Sequence, residues 1–523
     1  MISVLFAASS DSPSIAREWR PRLTRYLPSV LIGLLYVGAY LKATKFHGIL
    51  VAKPVYWAAW ADQGQYLRSA NALAGLRLDA ADYWYPLLYP LLAAPFTALT
   101  TKQPFAFVDL GCVVATFVGL TRVARRFGIG PWIATAIFAL TTILYPEIGR
   151  RWLEPWTTSL SAALVWLAFA QTLEVLDDEG TYSRSAQVAW LGALLALIPM
   201  ARPGDAIISA ILGACAVTRL VTARNWRSVA MLFGVSLAMA LPYFALYLAI
   251  YGPHPSHYML LSAAYGLNLG WLGWKAYLLL VEPMPWFPDG EGLLQACPWL
   301  ILGAAGLVMA VMRRSRYRMA ALSLGLAVLA YSACILAYDD LLPSGLWRFQ
   351  NNHYFKWLLP FFGLFAAIFV RDVRRSPAIA TATLAALFAL SCIRIVPAPA
   401  ADGVPARMIL FHGPAADFRR IYFSRSIIDD RGGRLRNLFD YHQIPHGGTT
   451  ISAIALKRDF SGDERWTGMA ASALPWPVAV AGQYSDAAMA GPWPRQPIER
   501  MRTILSFGAP CWLPPYPCGR GQR

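Results

Sequence analysis

Eleven mainly apolar stretches, each 15 to 23 residues long, recur along this 523-residue chain: 27–43, 104–121, 131–148, 155–173, 187–201, 204–220, 229–251, 295–312, 319–338, 353–370 and 378–396. A transmembrane helix needs roughly 20 such residues, with about 17 tolerated. Only 14% of the residues are charged, where soluble domains carry about 25%. A chain of this pattern satisfies its backbone in lipid by forming helices. The expected fold class is therefore an all-α polytopic membrane protein of about eleven spans.

Two places leave the count open, and charge decides them. The run 87–101 is apolar but short and contains Pro90 and Pro95, while 187–220 is too long for one span and breaks at Ala201-Arg202-Pro203-Gly204. With the first run not crossing and the second crossing twice, one side receives nearly all the arginine clusters. They are Arg17 to Arg25, Arg122 to Arg126, Arg219 to Arg227, Arg313 to Arg318 and Arg371 to Arg375. The other side receives Asp62, Asp79, Asp82, Glu147, Glu154, Glu282, Asp289, Glu291, Asp339 and Asp340. Short loops rich in Arg and Lys stay in the cytoplasm. This parity predicts a cytoplasmic N-terminus and an external C-terminus. The net charge of +17 then reports topology; no basic patch interleaved with aromatics points to nucleic acid. Met1 to Asp11 has an apolar run with no charged segment before it, so the first span, not a cleaved signal peptide, is expected to direct insertion.

The external loops carry pattern of their own. In 57–74, Trp60, Tyr66, Leu67, Ala70, Leu73 and Ala74 form an apolar stripe, with Asp62, Gln65, Arg68 and Ser69 read on the other side. Such a helix lies along a membrane surface. The segment 257–281 is a second candidate of this kind. After about residue 397, Pro397, Pro399 and Pro405 mark a linker. This divides the chain into a membrane domain, 1–396, and a small extramembrane C-terminal domain, 397–523, of mixed or unknown class. Within it, Val404 to Tyr422 and Thr449 to Leu456 read as strands or helices. Cys511 and Cys518 flank a Pro-rich hexapeptide. They are either two thiols or a disulfide, and an oxidising compartment favours the disulfide.

Nucleotide-binding, serine-hydrolase and zinc-protease motifs are absent, and the cysteines show no metal-ligand spacing. Chemistry is therefore sought in polar residues at the ends of spans, where charge in hydrocarbon is costly. Asp62 is either a proton acceptor or a helix cap; Asp79 and Asp82 read as turn or capping residues, with Asp82 the reserve acid. Glu154, in Arg150-Arg151-Trp152-Leu153-Glu154-Pro155-Trp156, either complements a helix dipole or holds a sugar hydroxyl. Arg202 either pairs with Asp205 or binds a phosphate. Trp347 to Pro360 concentrates Arg348, Gln350, Asn351, Asn352, His353, Tyr354 and Lys356 at one junction. That composition suits a phosphate and sugar site or an interfacial anchor belt.

In order and on one common side, these places resemble membrane glycosyltransferases of the GT-C superfamily, in particular bacterial members that use polyprenyl-phosphate sugars. The matching places are Asp62 in the first external loop, the Pro-interrupted turn Tyr85-Pro86 to Pro95-Phe96, Glu154, Arg202-Pro203, and Arg348 to Pro360. The resemblance implies an inverting transfer of a sugar from a polyprenyl-monophosphate to an acceptor hydroxyl of a cell-envelope glycan, lipid or protein. Asp62 would be the general base; Arg202, Arg348, His353, Lys356, Glu154 and Tyr66 would bind the donor. It places the enzyme in a bacterial inner membrane, as a monomer, with its site on the periplasmic side and its partners among membrane lipids. Many family members pair two acids in the first loop, whereas Asp62 is followed by Gln63. Single-base chemistry without a metal or other cofactor is expected. Two rivals remain: a glycan polymerase or ligase using an undecaprenyl-pyrophosphate donor, and a non-enzymatic lipid or sugar transporter, which predicts inverted repeats and a midplane site.

Overall fold

The computed structural model describes residues 20–43, 61–100, 103–176, 184–265, 272–281, 292–313, 317–338 and 351–373, with a few single residues between them. It also describes the backbone of short strands between 407 and 483. Arg348, Cys511, Cys518 and nearly all of the predicted span 378–396 lie outside the described residues.

The helices in chain order are α1 (Arg20–Ala43), α2 (Ala61–Ala74), α3 (Leu88–Ala93), α4 (Phe105–Arg126), α5 (Pro131–Thr141), α6 (Pro146–Leu153), α7 (Thr157–Leu176), α8 (Arg184–Ala201), α9 (Ala206–Thr222), α10 (Trp226–Tyr251), α11 (His257–Tyr265), α12 (Leu272–Leu280), α13 (Leu293–Ala296), α14 (Trp299–Met312), α15 (Arg318–Ala337) and α16 (Leu358–Asp372). Among the described residues, six helical stretches are long and apolar enough to cross a membrane: 26–43, α4, α7, 203–222, α10 and α15. The protein is a multi-pass, predominantly helical membrane protein.

Two of the runs expected to cross as single helices break in the structure. The run 131–148 is not one span: α5 has only 11 residues, about 17 Å at 1.5 Å per residue, against a hydrocarbon core of roughly 30 Å. Thr142 leaves the helical region at φ −128° and ψ −86°, and Pro146 opens α6. The run 353–370 begins as a 3-10 helix, Asn351–Phe355, before α16. The run 87–101, read as not crossing, forms α3 and a 3-10 helix, Ala94–Ala98.

The core is built around α7, whose side chains are buried nearly all round; it packs on α4, α8 and α9. A helix apolar on every face belongs inside a bundle. Gly119 of α4 sets how closely α4 approaches: a Cβ there would lie 2.5 Å from the Trp166 carbonyl carbon of α7. Gly303 and Gly306 of α14 likewise meet the backbone of α16 at Phe362 and Phe365, the small-residue contact that membrane helices use. By contrast α10 leaves Phe233, Leu237, Leu241, Phe244 and Leu248 exposed, an apolar surface suited to lipid.

In the C-terminal part, the ambiguous segment Thr449 to Leu456 is a strand, β5 (Thr449–Leu456), and the described part of Val404 to Tyr422 is another, β1 (Arg407–His412). With β2 (Ile427–Asp429), β3 (Arg434–Leu435), β4 (Phe439–His446), β6 (Glu464–Trp466) and β7 (Val478–Gln483), they form a four-stranded antiparallel sheet, β4-β5-β1-β7, and a three-stranded one, β3-β2-β6.

Candidate active site at the first turns of helix α7

Helix α7 opens with Thr157-Thr158-Ser159-Leu160-Ser161, and each hydroxyl-bearing residue engages a different neighbour. Thr157 neighbours Tyr66 of α2. Thr158 Oγ1 lies 3.0 Å from His353 Nδ1. Ser159 Oγ accepts from Lys356 Nζ at 2.7 Å and neighbours Asp109 of α4. Ser161 donates to Asp205 Oδ2. Four polar segments far apart in sequence thus meet on one helix end, where buried polar groups need partners.

On one side of this end lies α2. Asp62 sits in its first turn and accepts a hydrogen bond from the Tyr85 hydroxyl at 2.6 Å on Oδ1. Tyr66, one turn later on the same face, is buried. Its ring packs 4.9 Å from Tyr85, 5.7 Å from Tyr89 and 6.4 Å from Phe105, centre to centre. Burial first, and then the Asp62 charge, hold both Tyr66 and Tyr85 well above the usual phenol range; both remain neutral donors at physiological pH. The face reading of this helix is corrected. Asp62 shares the Tyr66 side, and Ser69 is buried, donating to the Asp82 carbonyl at 2.8 Å. Gln63 is fully buried, with neither amide atom hydrogen-bonded. Hydrophobicity assigns polar residues outward, whereas here the turn 79–85 folds back over them.

Asp82 and Asp79 serve that turn, as expected. Asp79 caps the 3-10 helix Ala80–Asp82 through the Ala81 N–H. Asp82 pairs with Arg68 at 2.8 Å and Arg77 at 3.9 Å.

Arg202 lies on the opposite side. It precedes Pro203, and the pyrrolidine ring drives a preceding residue out of the helical region; here Arg202 is extended, at φ −153° and ψ 112°. This ends α8 and turns the side chain into the bundle. Its Nη1 lies 3.3 Å from Asp205 Oδ1 and donates at 3.3 Å to the Tyr331 hydroxyl. Tyr331 in turn donates to the Tyr354 carbonyl at 2.8 Å. The guanidinium lies over the Tyr354 ring, 4.5 Å from its centre, a cation–π arrangement. Asp62 acts electrostatically on Tyr66, Tyr85 and Tyr354, and Arg202 acts on Tyr66 and Tyr354. Asp62 is tied to these tyrosines through Tyr85, which packs on Tyr66, and Arg202 through the Tyr354 ring.

The two motifs read separately as Arg150–Trp156 and Trp347–Pro360 form one clamp. Arg151 Nε donates to Asn352 Oδ1 at 3.1 Å, and Trp156 stacks on His353 at 4.0 Å. Lys356 Nζ donates to the Arg151 carbonyl at 2.9 Å and lies 4.8 Å from the centre of the Trp152 ring. Trp166 Nε1 donates to the Trp357 carbonyl at 3.2 Å. Glu154 is fully buried and held by Arg150 Nε at 3.0 Å and Trp156 Nε1 at 3.2 Å. Burial raises its carboxyl above the usual range, against the pull of Arg151 and Arg150. Lys356 and His353, expected to meet a donor phosphate, are embedded in this wall, with Lys356 Nζ bonded to the Arg151 carbonyl and Ser159 and His353 Nδ1 at Thr158. Both readings of Glu154 gain the same constraint, since its partners are its own neighbours.

Two residues of this region escaped the sequence reading. Tyr331 has no distinguishing local pattern, since tyrosines also populate interfacial belts. Asp109 left a usable signal: an acid within the apolar run 104–121, costly there without a partner. It accepts from Tyr89 at 2.8 Å on Oδ1. Among the described residues, no cluster of His, Cys, Asp and Glu is arranged to hold a metal ion.

No family model and no curated protein sequence matches this chain. Two solved structures are similar in fold. One is ArnT from Cupriavidus metallidurans bound to undecaprenyl phosphate: 16% identity, TM-score 0.43, covering 74% of this chain and 68% of that one. The other is the Archaeoglobus fulgidus oligosaccharyltransferase in complex with zinc and sulfate: 12% identity, TM-score 0.38, covering 70% of this chain and 52% of that one. The chain thus spans about half the length of the second.

Proposed function

We propose that this protein is an inverting membrane glycosyltransferase that moves a sugar from a polyprenyl-monophosphate donor to an acceptor hydroxyl. The observation that carries the reading is that the start of α7 gathers both groups: Asp62 is held at 2.6 Å by Tyr85, whose ring packs on Tyr66, and Arg202, 140 positions later in sequence, lies 4.5 Å from the ring of Tyr354, next to the His353 that meets Thr158. A base and a fixed cation across an aromatic region are what displacement at a sugar carbon from a phosphate ester requires. The acceptor oxygen attacks C1 from the face opposite the phosphate. The bond between C1 and the phosphate oxygen breaks, and its electron pair leaves on that oxygen, whose bond to phosphorus stays intact. The acceptor proton passes to the Asp62 carboxylate, late in an oxocarbenium-like transition state, when the attacking oxygen has become acidic enough to release it.

Arg202 stabilises the departing phosphate. A guanidinium carries five N–H donors, and the contacts to Asp205 and Tyr331 are both made by Nη1. A guanidinium fixed in advance, at a site screened from water, acts strongly on developing charge. Tyr66 lines the donor side as a neutral donor. Lys356, His353 and Glu154 hold the wall in place and do not meet the phosphate. The reaction belongs at the periplasmic face of a bacterial inner membrane, with residues 397–523 on that side and the polyprenyl tail among the spans. The parity of the arginine loops supports this placement.

Purified protein incubated with undecaprenyl-phosphate and undecaprenyl-pyrophosphate sugars, each radiolabelled in the sugar, tests the reading. Transfer to a cell-envelope extract is expected from the monophosphate, with inverted anomeric configuration. Transfer from the pyrophosphate alone would replace this reading with a polymerase or ligase.

A further inference from the structure

Tyr85 is the one hydroxyl that reaches Asp62 from another segment at hydrogen-bond distance among the contacts described. Its phenol donates to Oδ1 at 2.6 Å, short for a bond of this type and characteristic of a charged acceptor. The ring is not loosely placed. It packs against Tyr66 of α2 at 4.9 Å and against Tyr258 of α11 at 5.4 Å. The turn that carries it is pinned from outside. Tyr251 of α10 donates to the Tyr83 carbonyl at 3.1 Å, and the Leu87 N–H donates to the Tyr243 hydroxyl at 3.3 Å. Trp84, the preceding residue, stacks on His257 at 6.0 Å with planes 16° apart. Two consecutive rings of the turn therefore meet two consecutive rings of α11.

We infer that Tyr85 is a positioning residue for Asp62: it fixes the orientation of the carboxylate and lowers its basicity by donating to it. The inference rests on the reading of Asp62 as general base. A donor to the ionised carboxylate favours that form, so the acid stays charged and ready at the pH of the periplasm. The bond also removes freedom of rotation about the Cβ–Cγ bond, and a fixed plane directs one face of the carboxylate at the acceptor. Burial and the Asp62 charge keep the Tyr85 proton in place, so Tyr85 donates without itself ionising. Among the described residues, the other groups that act on this carboxylate are Tyr66 on its own helix and Tyr354 on the 351–355 segment; Arg202 and Tyr258 act on Tyr66 beside them.

Tyr85→Phe removes one oxygen and keeps the ring that packs on Tyr66 and Tyr258. The titration of Asp62 is read by infrared difference spectroscopy against pH, with Asp62→Asn subtracted in both the wild-type and the Tyr85→Phe background. This readout needs no substrate. The Asp62 midpoint is expected to rise by about one pH unit in Tyr85→Phe. With undecaprenyl-phosphate sugar, kcat is expected to fall while the donor KM is unchanged, and the acidic limb of the pH profile should move upward by the same amount. An unmoved midpoint overturns the inference. So does a normal kcat in Tyr85→Phe where Asp62→Asn is inactive. Normal turnover in Asp62→Asn instead removes the base itself, a separate failure that the infrared midpoint does not share.

Discussion

The guanidinium of Arg202 lies 4.5 Å from the centre of the Tyr354 ring, so the break between α8 and α9 is locked to the segment leading into α16. The contact joins an Arg-Pro break to a basic-aromatic junction 150 residues away in sequence. Arg202, Tyr331 and Tyr354 then form a closed set: Arg202 donates to the Tyr331 hydroxyl, which donates to the Tyr354 carbonyl. A cation held this way has its direction fixed before any ligand arrives, which is the condition for stabilising a transition state without reorganisation.

Replacing Arg202 should therefore act on two quantities at once. Arg202→Ala is expected to raise the apparent KM for the polyprenyl-phosphate donor by about ten- to a hundredfold, the loss of one charge-assisted phosphate contact. It should also lower thermal stability, because Asp205 is fully buried and would lose its cation. Adding Asp205→Asn should recover stability but not donor affinity. Recovery of both would make Arg202 purely structural. Thermal unfolding in detergent and steady-state kinetics on the two variants check this.

Lys356 should behave differently. Its ammonium is fully buried and its contacts run to the Arg151 carbonyl and Ser159, so Lys356→Met is expected to lower stability more than donor affinity. Breaking one side of a buried charge arrangement typically costs about 3–5 kcal/mol. Ser159→Ala, which removes the hydroxyl that accepts from Lys356, should cost less, about 1–3 kcal/mol. A large rise in donor KM in Lys356→Met with unchanged melting would return Lys356 to the phosphate site.

How much of this was readable from the chain depended on the range of the interaction. Spans such as α4, α7, α10 and α15 announce themselves by run length, because hydrocarbon thickness fixes the length of a helix that crosses it. The Arg202-Pro203 break was legible because proline constrains its neighbour locally. The split of 131–148 was not, since apolar content continues through Thr142 to Tyr145 while the backbone turns. Partnerships such as Tyr85 with Asp62, or Arg151 with Asn352, are tertiary, and residue type gives no hint of them. Tyr, Trp and Asn serve belts, caps and sites alike. The hydroxyl run Thr157 to Ser161 was the strongest unread signal: polar residues opening a span, each needing a partner.

Glu154 gives a pH prediction with a definite sign. Burial lifts its folded-state value above the ordinary 4.5. Between these two values the folded protein keeps a proton that the unfolded chain releases, so this residue's contribution makes stability fall as pH rises through that window. Above the folded value the contribution is constant. Glu154→Gln removes it, so the variant should gain on the wild type as pH climbs from 4.5 toward neutrality. Melting curves of both proteins in detergent across that range test it. A stability difference that does not change with pH would show that Glu154 titrates normally.

Asp62 and Asp82, two of the three acids of the first loop, separate most sharply. Asp62 contacts Tyr85 and lies within the electrostatic reach of Tyr66 and Tyr354. Asp82 is bound to Arg68 and Arg77, which are largely exposed, and exposed ion pairs contribute about 0–1 kcal/mol. Asp62→Asn should leave expression, melting and donor binding close to wild type while turnover falls by about 10²–10⁴-fold, the usual effect of losing a general base. Asp82→Asn should retain most turnover. The change it causes should be confined to the turn: the Ser69 hydroxyl still has the residue 82 carbonyl to bond, and Asp79 still caps the 3-10 helix. Single-turnover measurements with preformed donor complex separate the chemical step from binding in both variants. Loss of turnover in Asp82→Asn with retention in Asp62→Asn would exchange their roles. Retention in both would move the base away from the first loop, with Glu154 the remaining external acid next to the clamp.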